Sequence, residues 1–125
     1  MNLLVFHSIV YLFVIKYVQS KTTVETSRRI ELTENIPNGT FVISLNQLFN
    51  QVKFRQKSFN LLNLNGFERE YFELKIENIY TKNSIDREEF VSKRYCSNEL
   101  LCQIELHLLS NDTLFYLIIP IEILE

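Results

Sequence analysis

The sequence predicts an all-β fold, a two-sheet sandwich preceded by a hydrophobic N-terminal signal helix. Three observations carry that expectation. Cys102–Leu108 alternates strictly, with Cys, Ile, Leu and Leu on one face and polar residues on the other, the period-2 pattern of a half-buried strand. Residues 114–124 form a long, strongly apolar final run. Turn chemistry breaks the rest into short segments, so that about seven strands fit the roughly 105 residues after the leader.

The elements follow in chain order. Leu3–Ile15, LLVFHSIVYLFVI, has the length of a signal-peptide core and falls short of the roughly 20 apolar residues that span a bilayer. His7 interrupts the run, Lys16 ends it, and Val18-Gln19-Ser20 supplies the small residue of a cleavage site. No cation precedes the run, which leaves a signal anchor or a buried helix as the alternative. The expected division is a signal peptide at residues 1–20 and one folded unit at residues 21–125. Arg29–Thr33 alternates as a strand, and Glu34–Gly39 turns through Pro37 and Gly39 into the β-rich run Thr40–Ile43. Leu45–Val52 spaces its apolar residues as a short helical turn. Asn65-Gly66 predicts a hairpin, Tyr71–Ile76 another strand, and Asn111-Asp112 a turn before the last strand.

Composition limits the function. The 125 residues are 46% hydrophobic and 22% charged, enough for a packed core. Two glycines leave no Gly-rich phosphate loop, and the net charge of −2 argues against a nucleic-acid binder. Loss of residues 1–20 removes one cation, Lys16, and no acid, leaving twelve cations against fifteen acids, a net charge of −3. Two cysteines cannot make a four-ligand zinc site, and His7 and His107 are poor candidates to complete one. No nucleophile elbow and no H-E-x-x-H occur, so an enzyme is not expected. His107, on the polar side of its strand, reads as a surface residue, and the phenylalanines read as core or interface bulk.

Three local patterns carry functional weight. Glu34-Asn35-Ile36-Pro37-Asn38-Gly39-Thr40-Phe41-Val42 sets a carboxylate at a strand end before a tight turn. Ile85-Asp86-Arg87-Glu88-Glu89 gathers three acids around one cation without strand alternation. Asp86 and Glu88, two residues apart in a loop, can share a hard cation; a solvated helical turn is the plainer alternative. Cys96-Ser97-Asn98-Glu99-Leu100-Leu101-Cys102 closes a short loop. In the oxidising compartment that a signal peptide implies, Cys96 and Cys102 are expected to pair, contributing about 2–3 kcal/mol.

In this order and spacing, the E-N-x-P-x-G-T-x-V turn, the D-R-E-E segment and the C-x5-C loop resemble the first extracellular repeat of a protocadherin. The final strand, ending Pro120-Ile121-Glu122-Ile123-Leu124-Glu125, is similar to the family's last strand, and the resemblance covers residues 27–125. It implies a seven-stranded Greek-key cadherin-like β-sandwich that binds Ca²⁺ at the junction with a following repeat. It assigns Glu34, Asp86 and Glu88 as metal ligands and Glu89 as a neighbour. Arg87, a cation, is expected to offset local negative charge.

The resemblance further implies calcium-dependent homophilic cell-cell adhesion by the membrane-distal repeat of a receptor. Its expected partners are a like protocadherin and a following cadherin repeat, on the extracellular side of the plasma membrane. The family's Asp-x-Asn-Asp-Asn linker does not occur before Glu125, so the expected calcium site is incomplete, and the chain reads as an amino-terminal fragment or a truncated, secreted product. Without Trp, the strand exchange that another cadherin branch makes through an N-terminal Trp is excluded. The alternative is a secreted β-sandwich binding or decoy module without calcium dependence. Asn38-Gly39-Thr40 and Asn111-Asp112-Thr113 are N-glycosylation acceptors in expected turns.

Overall fold

The computed structural model describes residues 22–25, 30–49, 58–96 and 100–125, so the expected signal segment lies outside the described residues. The alternation of the penultimate strand sets the architecture. In β7 (Cys102–Ser110), Cys102, Ile104, Leu106, Leu108 and Ser110 are buried and the intervening residues are not. It pairs antiparallel with β8 (Phe115–Leu124), which buries Leu117, Ile119, Ile121 and Ile123 on the same side. The two form the centre of the larger sheet.

Eight strand segments occur among the described residues, in seven positions. β1 (Thr22–Glu25) pairs parallel with residues 115–118 of β8, and β2 (Ile30–Thr33) pairs parallel with residues 121–124. Because β7 covers the other edge of β8, β1 and β2 lie one after the other on the same edge. Pro120 sits between the two paired stretches of that edge. The Leu124 carbonyl accepts the Glu34 N–H on the β2 side, so by the alternation of the ladder Pro120 turns its donor-less nitrogen to this edge. It lies between the stretches of β8 that pair with β1 and with β2, where none of the described residues pairs with this edge.

β4 (Phe59–Leu61) pairs with the far edge of β7. The second sheet has the order β3 (Phe41–Ser44), β6 (Asn78–Thr81), β5 (Phe72–Lys75), all antiparallel. The pairings β3–β6 and β4–β7 join strands distant in sequence across alternating sheets, which is the Greek-key arrangement. Short helices connect the sheets: α1 (Leu45–Phe49), α2 (Glu68–Tyr71) and α3 (Arg87–Ser92). One core holds the layers together. It joins Ile43, Phe72 and Ile79 of the small sheet to the β7 and β8 residues of the large one. Phe67, Tyr71 and Phe90 fill its side, with ring centroids 5.6 Å (Phe67–Phe90) and 4.8 Å (Tyr71–Phe90) apart.

One local expectation is met as far as the described residues reach, and one changes. The helical turn at residue 45 runs to Phe49, and residues 50–52 lie outside the described residues. Asn65-Gly66 is not a hairpin. Gly66 does take a left-handed φ of +86°, but the buried Glu68 carboxylate reaches back to the Asn65 N–H at 2.9 and 3.2 Å, and the Asn63 side chain accepts the Arg69 N–H at 3.2 Å. These bonds start α2 and carry the chain from one sheet to the other. The two-residue hairpin of this region is Ile76-Glu77, between β5 and β6.

Candidate calcium-junction end

The end of the sandwich where β2 finishes and β7 begins collects the acidic residues singled out by sequence. Glu34 follows β2, and its N–H donates to the Leu124 carbonyl at 2.8 Å. Asn35, with a positive φ of 62°, turns the chain so that its own N–H reaches the Ile85 carbonyl at 2.9 Å. Those two bonds set Glu34 against the D-R-E-E segment. The Glu34 Oε2 accepts the backbone N–H of Arg87 at 3.0 Å.

Asp86 is the N-cap of α3, not a free loop residue. Its backbone is extended and its Oδ1 accepts the N–H groups of Glu88 and Glu89 at 3.0 and 3.4 Å, the ordinary way a short side chain satisfies orphan donors. The helical alternative for this segment is therefore the one observed. Glu88 is exposed on the first turn. Glu89 points elsewhere: its carboxylate meets Lys93 Nζ at 2.6 Å and accepts the Tyr71 hydroxyl at 3.3 Å. The Lys93 hydrogen bond holds Glu89 below the usual carboxylate range, and the same contact raises Lys93.

Arg87 does more than offset charge. Its guanidinium side chain is 14% exposed and pairs with the Glu125 carboxylate at 3.1 Å. Nε donates to the Ile123 carbonyl at 3.2 Å and Nη2 to the Leu100 carbonyl at 3.3 Å. One side chain thus ties α3 to the end of β8 and to the loop before β7. The D-R-E spacing marked the residue, but its carbonyl partners lie 36 and 13 positions away, beyond any local pattern.

The structure brings Glu34 and Asp86 to one place and leaves Glu88 beside them, yet it does not close a cage. Among the described residues, no three His, Cys, Asp or Glu side chains are placed to hold a metal ion together. The donor chemistry still suits a hard cation. Glu34 and Asp86 each commit one carboxylate oxygen to backbone N–H groups. The other oxygen of each carries no hydrogen bond among the described residues, and oxygen ligands are what Ca²⁺ takes.

Cys96 and Cys102 form the expected disulfide, with Cα atoms 4.7 Å apart. Asn38 and Asn111 both lie exposed in turns. The Thr40 hydroxyl donates to the Pro37 carbonyl at 2.5 Å, and the Asn111 Oδ1 accepts from Asn60 at 2.9 Å. His107 is half-buried rather than fully exposed, because Tyr116 on β8 packs edge-on to it and its hydroxyl lies 2.7 Å from Nδ1.

Two sheets in the orders β1/β2-β8-β7-β4 and β3-β6-β5, with the first two segments sharing one edge, can be compared with solved structures. The extracellular domain of protocadherin gamma-B4 superposes with a TM-score of 0.59 at 18% identity, over 78% of this chain and 15% of that one. The fold is that of an extracellular cadherin domain. The EC1–3 structure of mouse clustered protocadherin gamma-C3 gives a TM-score of 0.59 at 16% identity, over 76% of this chain and 29% of that one. Extracellular cadherin domains 3–6 of protocadherin gamma-B2 give 0.55 at 17% identity, over 80% and 20%. A structure that holds only domains 3–6 matches almost as well, so the cadherin fold by itself does not number the repeat. This chain spans less than a third of the length of each of these proteins. No family model matches the sequence, and no curated protein matches it.

Proposed function

We propose that the chain is a calcium-dependent homophilic adhesion module, the membrane-distal cadherin repeat of a protocadherin-like receptor acting outside the cell. The observation that carries the reading is the hydrogen bond from the Arg87 N–H to Glu34. It joins the strand-end acid to the D-R-E segment at the end of the sandwich where β8 also finishes. Glu34, Asp86 and Glu88 would hold the ion there, and a following repeat would supply the remaining oxygens. In this reading residues 1–20 are a secretory signal, residues 21–125 the repeat, and Asn38 and Asn111 glycan acceptors. The module binds partners and catalyses nothing.

A second reading has one observation in its favour. Because no three acidic side chains converge among the described residues, a binding or decoy module without calcium dependence fits the same fold. Beads bearing the chain joined to a second cadherin domain separate the two readings. Calcium-dependent adhesion gives aggregates that EDTA disperses; aggregation indifferent to EDTA overturns the calcium role. Calorimetric titration adds the site itself: Glu88→Ala in that protein lowers Ca²⁺ affinity, and an unchanged isotherm removes Glu88 from the ligand set.

A further inference from the structure

The outer face of the small sheet is a grid of six side chains whose places the strand register fixes. Phe41, Tyr80 and Glu73 lie side by side across β3, β6 and β5, and Ser44, Asn78 and Lys75 form the next row. Ile43, Ile79 and Phe72 point the other way, into the core. Phe41 is 49% exposed and stands edge-on to Tyr80, ring centroids 5.9 Å apart. Lys75 Nζ lies 5.7 Å from the centre of the Tyr80 ring and 3.8 Å from the Glu73 carboxylate. The Asn78 amide donates to the Tyr80 hydroxyl at 3.4 Å. A solvated sheet face is ordinarily polar. Here an ordered aromatic pair runs from the middle strand to the β3 edge, side chains of the kind that anchor protein interfaces.

The charges select the occupant. Consider a two-fold axis lying in the plane of this face and crossing the strands between the two rows. It exchanges the rows and keeps each strand opposite its own copy. Glu73 then faces Lys75 of a second copy, and Lys75 faces that copy's Glu73. Tyr80 faces Asn78, a hydroxyl against an amide, and Phe41 faces Ser44. Opposite charges meet twice and like charges nowhere. An axis along the strands instead drives Phe41 against Glu73 and leaves Lys75 without an acid. Of these two arrangements only the first is self-complementary in charge, and an isologous contact requires self-complementarity.

We propose that two copies of this chain pair through the outer face of β3, β6 and β5, with Tyr80 central, Phe41 on the β3 side and both Glu73–Lys75 pairs on the β5 side. The strands of the two copies run antiparallel, so their calcium-junction ends point in opposite directions. That is the geometry of copies carried on two facing surfaces, and in this respect the inference rests on the adhesion reading. Six side chains bury less than the roughly 1,200 Å² of a stable complex, so the contact is weak and reversible.

The test is charge exchange between molecules. The full chain, secreted from a eukaryotic host, is followed by sedimentation across a concentration series. The parent shows a concentration-dependent dimer. Glu73→Lys alone and Lys75→Glu alone, which bring like charges together twice, weaken it at least about tenfold. An equimolar mixture of the two variants restores association, because each then meets its opposite in the other. Phe41→Ser weakens association while the monomer stays folded, its thermal midpoint falling only by the loss of the Tyr80 ring contact. A monomeric parent, single variants that pair as the parent does, or a mixture that stays monomeric overturns the proposal. Bead aggregation that persists in any of these cases leaves the adhesion reading standing and moves its surface elsewhere; beads that also fail to aggregate remove both.

Discussion

At the scale of single residues, Arg87 decides how the junction end is held. Its side chain is mostly buried and engages two backbone carbonyls and one carboxylate. Truncation removes all three contacts at once, so Arg87→Ala lowers stability by about 1–3 kcal/mol in urea titration. Arg87→Lys recovers only part, because an ammonium cannot reproduce the planar fork. Tyr71 gives a pH signature. Burial first, then the nearby Glu89 and Glu70 charges, raise its pKa above the ordinary value of 10.0. A raised folded value means that Tyr71 contributes stability fully below the unfolded pKa and loses it as pH rises through the folded one. Lys93, raised by its bond to Glu89, loses its contribution in the same direction. The thermal midpoint therefore declines above about pH 10, and Tyr71→Phe makes the decline shallower. An identical slope in the variant would remove Tyr71 from the account. The acids here were legible because their order along the chain is informative. Glu68 was not: nothing local distinguishes a buried carboxylate that closes a turn from a solvated one.

At the scale of elements, the sequence was most readable where one face is buried along a whole strand. β7 follows its alternation residue for residue, and the apolar run of the last strand becomes β8, which buries every second residue from Leu117 to Ile123. β4 and β6 carry only three and four residues, too few for a period to show, and their places are set by partners distant in the chain. Asn65-Gly66 shows the same limit from the other side. It supplied a turn, but the strand before it already had its partner in Leu108–Ser110, so no hairpin could close. The real hairpin carries the residue least suited to it. Ile76 is β-branched, has a φ of +59° and is 94% exposed, so it bears backbone strain while packing against nothing. Glycine is favoured at the first central position when only that residue has positive φ. Ile76→Gly relieves strain of about 1–2 kcal/mol and loses part of that gain to the more flexible unfolded chain. The net expectation is a gain of about 0.5–1 kcal/mol; a lower midpoint would mean that the side chain makes a contact the turn needs.

At the scale of the whole molecule, the disulfide and Arg87 hold the same region by different means. Cys96–Cys102 closes the loop next to β7, and Arg87 binds the Leu100 carbonyl within that loop. The junction end is therefore shaped by covalent and hydrogen-bonded ties to protein groups before any ion arrives. That explains how Glu34 and Asp86 stay in place although no third acid completes a cage among the described residues. On the proposed calcium reading, it also sets the size of the effect an ion would have. Extracellular modules bind Ca²⁺ at roughly 10⁻⁴–10⁻³ M, so at about 10 mM Ca²⁺ a complete site adds about 1–3 kcal/mol to folding stability. The chain alone, offering an incomplete set of oxygens, gains less than the low end of that range. Joined to a second cadherin domain it gains the full amount, and Glu34→Gln, which exchanges a carboxylate oxygen pair for a weaker amide, removes most of the difference. Denaturant midpoints with and without Ca²⁺, for both proteins, read this directly. Equal shifts in the two proteins would place the ion on this chain alone; no shift in either would mean that the junction end works without calcium.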